Sequence, residues 1–325
     1  MSSSTIAVVS DIHFAGAAEQ ARGDDYEYRD LASPWLRFFV RCHRRYVWLR
    51  NPLRLGYLLD HFIAASKGDD YIIANGDYSC DSAFVGTSDE ASFASARECL
   101  SRLRQAHPGR FFPTLGDHEL GKFSFFGKRG GMRLASWRRS VEELQVPPFW
   151  HFECGRHHLI GVTSSLIALP AFEAEALPPE LAEWRQLREQ HLREMRECFL
   201  SLGPEARVLL FLHDPTALPF LAQEEAVRAV LPRIEATVIG HLHSNLVLRQ
   251  SRLLSGMPQI GFLGHTTRRL STALREARQW RPFNVRLCPA LAGIELLKDG
   301  GFYRITLDAN SSGSAQFTFQ PIRRN

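Results

Sequence analysis

Apolar residues along this chain follow two spacings. Short runs cover Ile6 to Ser10, Tyr71 to Ala74, Phe111 to Leu115, His158 to Thr163, Arg207 to Leu212, Ala236 to Ile239 and Gln259 to Leu263, then Gly301 to Leu307 and Gln316 to Phe319. Runs of this length, bounded by Gly, Asp or Pro, predict strands. Between many of them the spacing becomes three and four. Leu58, Leu59, Phe62 and Ile63 make one helical stripe, and Phe93, Ala96, Leu100 and Leu103 a second. A third runs through Leu181, Trp184, Leu187, His191, Met195, Cys198 and Phe199 and stops near Gly203 and Pro204. Strands and helices in alternation predict a layered α/β fold. From about residue 247 the runs shorten around turns such as Asp299, Gly300 and Gly301, which predicts additional antiparallel strands. No repeat, low-complexity tract or linker interrupts the pattern. A single domain over residues 1–325 is expected, with insertions at about 15–52 and 122–139.

Polar chemistry gathers where the predicted strands end. Asp11 and His13 follow the first strand, Asp77 the second and Asp117 the third, while His213 and then His241 with His243 follow two later ones. One Asp after a strand is unremarkable and caps a loop or helix. Five strand ends that all deliver carboxylate or imidazole imply one shared polar centre at one edge of a sheet, where open α/β folds place their ligands. Carboxylates mixed with neutral imidazoles suit Mn first, with Fe or Zn as alternatives. Seven ligands exceed one tetrahedral site, so two ions are expected, about 3.5–4 Å apart, activating a water for in-line attack on a phosphoryl group. His118, beside Asp117, is left over and is placed to protonate the leaving oxygen. Cys80, three residues after Asp77, reads as a packed thiol.

Composition narrows the class. At 325 residues and 36.9 kDa, with 45% hydrophobic residues, the chain can bury a core without staples. The six cysteines are far apart and form no CxxC pair, which argues against a zinc ribbon or a disulfide framework and suits reduced thiols in the cytoplasm. The opening MSSSTIAVVSDIH lacks a basic leader region and reads as a first strand, and no apolar run approaches the roughly 20 residues of a membrane span. A net charge of +4 does not by itself call for nucleic acid. Both insertions are rich in arginine. In the first, Trp35, Phe38, Phe39, Cys42, Tyr46 and Leu49 line one face of a helix, with Arg37, Arg41, Arg44 and Arg45 on the other. The second, Lys122 to Arg139, is a basic loop around Gly130 and Gly131 that also carries Lys128, Arg129 and Arg133.

Taken in order, Asp11-x-His13, Gly76-Asp77, Gly116-Asp117-His118-Glu119, His213 and Gly240-His241-x-His243 resemble the five motifs of the calcineurin-like metallophosphoesterases. The resemblance runs from residue 6 to about 244. It implies a four-layer αββα sandwich around a dinuclear metal site and hydrolysis of a phosphodiester, pyrophosphate or phosphomonoester. It further implies that Asp11, His13, Asp77 and His243 hold one ion, that Asp77, Asp117, His213 and His241 hold the other, and that His118 acts on the leaving group or the phosphate. One position departs from the family, which usually has Asn where this chain has Asp117. With three carboxylates, two divalent ions and a bridging hydroxide the formal charge becomes about neutral instead of about +1, which weakens anion attraction. The basic loop is the expected compensation, with Lys128, Arg129 and Arg133 facing the phosphate.

The 35–49 helix reads as a packed cap, a lid or a membrane-surface element; the last would suit a phosphorylated lipid or a lipid-linked nucleotide. A peripheral contact with a membrane is therefore expected as an alternative to a purely cytoplasmic location. Nucleic acid is disfavoured as a substrate, although Arg beside aromatics can grip a strand. A non-catalytic scaffold on the same fold is the other competing class.

Overall fold

The computed structural model describes residues 3–124, 129–258, 265–308 and 313–324. Among the described residues ten strands form two five-stranded sheets: β1 (Ser3–Val9), β2 (Tyr71–Asn75), β3 (Phe111–Thr114), β4 (Phe149–Cys154), β5 (His157–Val162), β6 (Arg207–Phe211), β7 (Ile234–Ile239), β8 (Val285–Leu287), β9 (Gly301–Asp308) and β10 (Gln316–Pro321). One sheet has the order β10-β9-β1-β2-β3 and the other β4-β5-β6-β7-β8. The β1-β2-β3 and β5-β6-β7-β8 pairings are parallel, while β9 and then β10 extend the first sheet, and β4 the second, by antiparallel pairing.

Side-chain alternation explains how the sheets meet. Ile6 and Val8 of β1 join Ile73, Leu209, Phe211, Ala236, Val238, Ile305 and Leu307 in one core between the sheets. Their neighbours Ala7 and Val9 point the other way, into a second core shared with helices. Helices α2 (Tyr57–Ala65) and α3 (Glu90–Ala106) bury Leu58, Leu59, Phe62, Leu100 and Leu103 there. On the second sheet, α4 (Leu181–Ser201) buries Trp184, Leu192, Met195 and Phe199. Two sheets face to face with helices outside them form an α/β sandwich.

Several boundaries differ from expectation. The antiparallel strands near the C-terminus are present as β9 and β10, but the segment after residue 244 begins with helix α5 (Asn245–Leu253), and α6 (His265–Glu276) follows. The expected strand Gln259 to Leu263 lies outside the described residues. Strands β4 and β8 were not expected: β4 mixes His, Glu and aromatics, and β8 has three residues. The loop expected over 122–139 turns helical from Leu134 to Arg138. Helix α1 (Pro34–Tyr46) occupies the first insertion, capped by Ser33, whose hydroxyl accepts the Leu36 N–H. None of the six cysteines is in a disulfide. Among the described residues no helix is long and apolar enough to cross a membrane.

His191 on α4 shows how the second core constrains charge. It is buried, its Nε2 accepts the Thr163 N–H at 3.1 Å, and burial pushes its pKa down to about 4. The folded protein therefore holds this ring neutral while the unfolded chain protonates it below its ordinary value of 6.5. Its contribution is fully present above that pH and is lost as pH falls toward about 4. Urea titrations should show wild type losing about 2 kcal/mol more stability than His191→Gln between about pH 7 and pH 5. Parallel pH profiles for the two proteins would refute this.

Candidate metal centre

Every residue of the expected polar centre follows the C-terminal end of a strand, but the strands come from both sheets. Asp11 and His13 follow β1, Asp77 follows β2 and Asp117 follows β3 of the first sheet; His213 follows β6, and His241 and His243 follow β7 of the second. The centre therefore sits where two parallel sheet ends meet, not at the edge of one. Its loops turn abruptly. Asp11, His13, Asp77, His241 and His243 all have φ between 48° and 64°, a left-handed conformation that costs a side-chain-bearing residue about 1–3 kcal/mol. The preceding glycines reflect the same crowding. A Cβ on Gly76 (φ +90°) would meet Gly116 Cα at 2.7 Å and His213 Nδ1 at 2.8 Å, and one on Gly240 would meet Ser10 Oγ at 2.0 Å.

The side chains form two overlapping groups. His243 Nε2 lies 3.4 Å from Asp11 Oδ1 and 3.3 Å from His13 Nε2, which in turn lies 3.9 Å from Asp77 Oδ2. His213 Nε2 lies 3.1 Å from both Asp77 Oδ2 and Asp117 Oδ1, and His241 Nδ1 lies 3.1 Å from the same Asp117 oxygen. Asp77 Oδ2 faces both groups. Outside this centre, His151, Glu153 and His158 gather on the β4–β5 hairpin, where His151 Nε2 and His158 Nδ1 are hydrogen-bonded at 2.9 Å.

The donor chemistry fits metal ions. His213 Nδ1 lies 2.7 Å from the Asn75 carbonyl, which can only accept, so Nδ1 carries the hydrogen and the neutral ring turns an Nε2 lone pair toward two carboxylates. That nitrogen is buried without a hydrogen-bond partner. Lone pair against carboxylate is repulsive, and the arrangement requires a positive charge there. A proton can serve: burial opposes it, but Asp77 and Asp11 raise the His213 pKa well above its ordinary value. A divalent ion satisfies all three donors at once. On the other side burial lowers the pKa of His13 and His243, and for His243 the neighbouring His13 lowers it further. Both rings are thus neutral, the form that coordinates metals.

Asp117 has a cationic partner that its position alone does not suggest. Lys122 Nζ lies 3.3 Å from Asp117 Oδ2 and also contacts His118 Nε2. Burial disfavours the Asp117 charge, yet Lys122 and His241 hold its carboxyl well below the usual range. For Lys122, burial is likewise outweighed by Asp117, Asp77 and Asp81, so its pKa is raised. His118 is buried, with Nε2 3.6 Å from Asp77 Oδ2 and its ring edge-on to His13. Burial lowers its pKa well below the ordinary value, and Lys122 and His13 act in the same direction, so the resting ring is neutral.

The other expected residues are placed differently. Arg129 pairs with Asp30, donates to the Tyr26 carbonyl at 2.9 Å and lies 5.6 Å from the centroid of the Phe84 ring, tying the second insertion to the first. Arg133 donates to the Met132 and Gly130 carbonyls at 2.9 and 3.0 Å. Both guanidinium groups hold loop backbone, and Lys128 lies outside the described residues. Cys80 donates to the His13 carbonyl at 3.0 Å, and burial keeps it a thiol.

Glu119, in sequence the end of a motif, fastens the loop after β2 to the turn after β3. Its Oε2 accepts the N–H groups of Asp77 and Gly116, each at 2.9 Å, and its Oε1 accepts that of Tyr78 at 2.8 Å. Burial and then the Asp77 charge push its carboxyl up to about 7, against the pull of those three donors. The signal available in the sequence was an acidic residue directly after Gly-Asp-His, at the start of a short helical turn.

Fold and centre together define a two-sheet α/β protein whose strand ends carry a carboxylate and imidazole donor set. The chain belongs to the calcineurin-like phosphoesterases: that family's sequence pattern matches residues 4–245, well over half of the chain. Among solved structures it is similar to a dimetal phosphatase from Danio rerio, with 13% identity, TM-score 0.46 and coverage of 94% of this chain and 92% of that one. It is also similar to the purple acid phosphatase PPD1 from yellow lupin (Lupinus luteus) seeds, with 10% identity, TM-score 0.43 and coverage of 94% and 49%. No match among curated proteins was found.

Glu119→Gln should report the fastening directly. An amide offers one acceptor where three N–H groups converge and turns its own NH2 toward a donor, so stability should fall by roughly 2–3 kcal/mol. Displacement of the Asp77 loop should lower turnover about 100-fold. A variant with wild-type denaturation midpoint and rate would contradict this role.

Proposed function

We propose that the protein is a dinuclear-metal-dependent phosphoesterase that hydrolyses a phosphodiester, pyrophosphate or phosphomonoester. The observation that carries this reading is the pair of donor groups sharing Asp77, with the His213 Nε2 lone pair facing two carboxylates at 3.1 Å. In this reading Asp11, His13, Asp77 and His243 hold one ion, and Asp77, Asp117, His213 and His241 hold the other. Ions held there, with Mn as first expectation, would supply a nucleophilic water at neutral pH and neutralise phosphoryl oxygens.

The chain's own residues perform the remaining steps. Lys122, beside Asp117 and His118, returns one positive charge to a centre made more negative by Asp117, so a phosphate meets net attraction. His118 begins neutral and donates a hydrogen bond to the phosphate or takes up a proton beside the bound anion; as imidazolium it protonates the departing oxygen. Leu115, Leu120 and Tyr78, which flank the Asp117 and Asp77 turns in sequence, are fully buried in the helix-side core and anchor those turns.

Chelator-treated protein should lose turnover of bis-p-nitrophenyl phosphate and regain it with Mn. His118→Asn should then lose about 100-fold or more with an alkyl phosphate, whose leaving group needs a proton, and distinctly less with a p-nitrophenyl ester. Equal losses on both substrates would remove His118 from leaving-group protonation. A protein that binds no metal and turns over no ester would favour the scaffold reading instead.

A further inference from the structure

Helix α1 is attached to the protein by the wrong side for an ordinary amphipathic helix. Val40 and Arg44 are its buried residues, and Arg44 is paired with Glu27. Trp35, Phe38, Phe39 and Tyr46 are on the opposite side, 74%, 56%, 64% and 58% exposed. At 100° per residue these four fall within one arc centred about half a turn from Val40 and Arg44. The reading of α1 as a cap with its aromatic face on the sandwich is therefore overturned. Arg44 also leaves the solvent-facing basic stripe, which consists of Arg37, Arg41 and Arg45.

The chain that leaves this helix reaches the metal centre, and the helix flank lines a basic cleft. Beyond Tyr46 the chain passes through Val47 to Trp48, whose ring lies 4.8 Å from that of His243. The Leu296 N–H donates to the Val47 carbonyl at 3.1 Å, which places the exposed Leu296 and Leu297 beside the end of the helix. On the flank, Arg41, Arg44, Arg45 and Arg50, with Asp24 as the acidic exception, line a cleft of about 400 Å³. An outward aromatic ridge next to such a cleft has the chemistry of a bilayer interface: rings enter the acyl boundary while guanidinium groups stay with anionic headgroups.

We propose that helix α1 docks the enzyme on an anionic bilayer surface, bringing the metal centre to phosphorylated amphiphiles held in that surface. The occupant is the membrane, because aromatic exposure and surplus arginine occur together on a helix whose C-terminal continuation, through Trp48, reaches His243 of the centre. For its functional meaning the inference rests on the phosphoesterase reading, and the test keeps the two apart.

Full-length protein would be co-sedimented with phosphatidylcholine vesicles with and without phosphatidylglycerol, in parallel with turnover of soluble bis-p-nitrophenyl phosphate. Wild type should bind the anionic vesicles. Phe38→Ser/Phe39→Ser and Arg41→Glu/Arg45→Glu should each lower partitioning by at least about tenfold and leave soluble turnover unchanged, because these exposed side chains support neither core nor centre. Wild type that stays in solution, or serine and glutamate variants that bind like wild type, would overturn the docking. A dimer in light scattering that Phe38→Ser/Phe39→Ser dissolves, without vesicle binding, would overturn it in favour of a contact between two copies. Vesicle binding without soluble turnover would leave docking intact and defeat the phosphoesterase reading.

Discussion

Three carboxylates, those of Asp11, Asp77 and Asp117, converge on one buried imidazole nitrogen, and the surrounding structure is arranged around the cost of holding them there. His213 Nε2 lies 4.0 Å from Asp11 Oδ1 and 3.1 Å from the nearest oxygens of the other two. In a site this dry, like charges repel strongly unless cations stand among them. The backbone contributes by force of position: left-handed residues at the strand ends, glycines where loops touch, and three N–H groups gathered by Glu119. The five strand ends that meet here, three from one sheet and two from the other, supply the rigidity. Charge is balanced by the proposed ions, and on the Asp117 side by Lys122.

That balance gives meaning to an atypical residue. An Asp in place of the family's usual Asn makes the centre more negative, and the compensation comes from the same loop, five residues along. Lys122 reaches the outer oxygen of Asp117 and His118 together, so one ammonium group sets the charge of a proposed ligand and the protonation of a proposed acid. Arg129 and Arg133, which share that basic segment, are engaged in holding the two insertions and the loop backbone.

Much of the fold was legible because burial on both faces leaves a simple mark: a short apolar run ending in a polar residue. Strands β1, β2, β3, β5, β6 and β7 carry that mark, and the seven polar residues could be collected from the ends of all of these but β5 before any geometry was known. Strands β4 and β8 could not, since β4 takes stability from the stacking of Phe152 on Phe112 of the other sheet and from the His151–His158 contact with β5, which have no apolar period. That two sheets, and not one, supply the donors is absent from the apolar pattern and was implied only by the family resemblance. The partner of Asp117 is a tertiary fact, because proximity of Lys122 depends on how the turn after β3 folds back. Helix α1 shows the limit most plainly: a period of 3.6 identifies an apolar face but not whether that face looks inward or outward.

The electrostatic pairing of Asp117 with Lys122 is tested most directly by a double-mutant cycle on kcat/KM with a soluble phosphodiester, using Asp117→Asn, Lys122→Met and the combined variant. Removing the lysine alone leaves the third carboxylate uncompensated and should cost more than about tenfold, whereas the combined variant should recover most of that loss, giving a coupling of about 1–3 kcal/mol. Losses that simply multiply, with no coupling, would contradict the account.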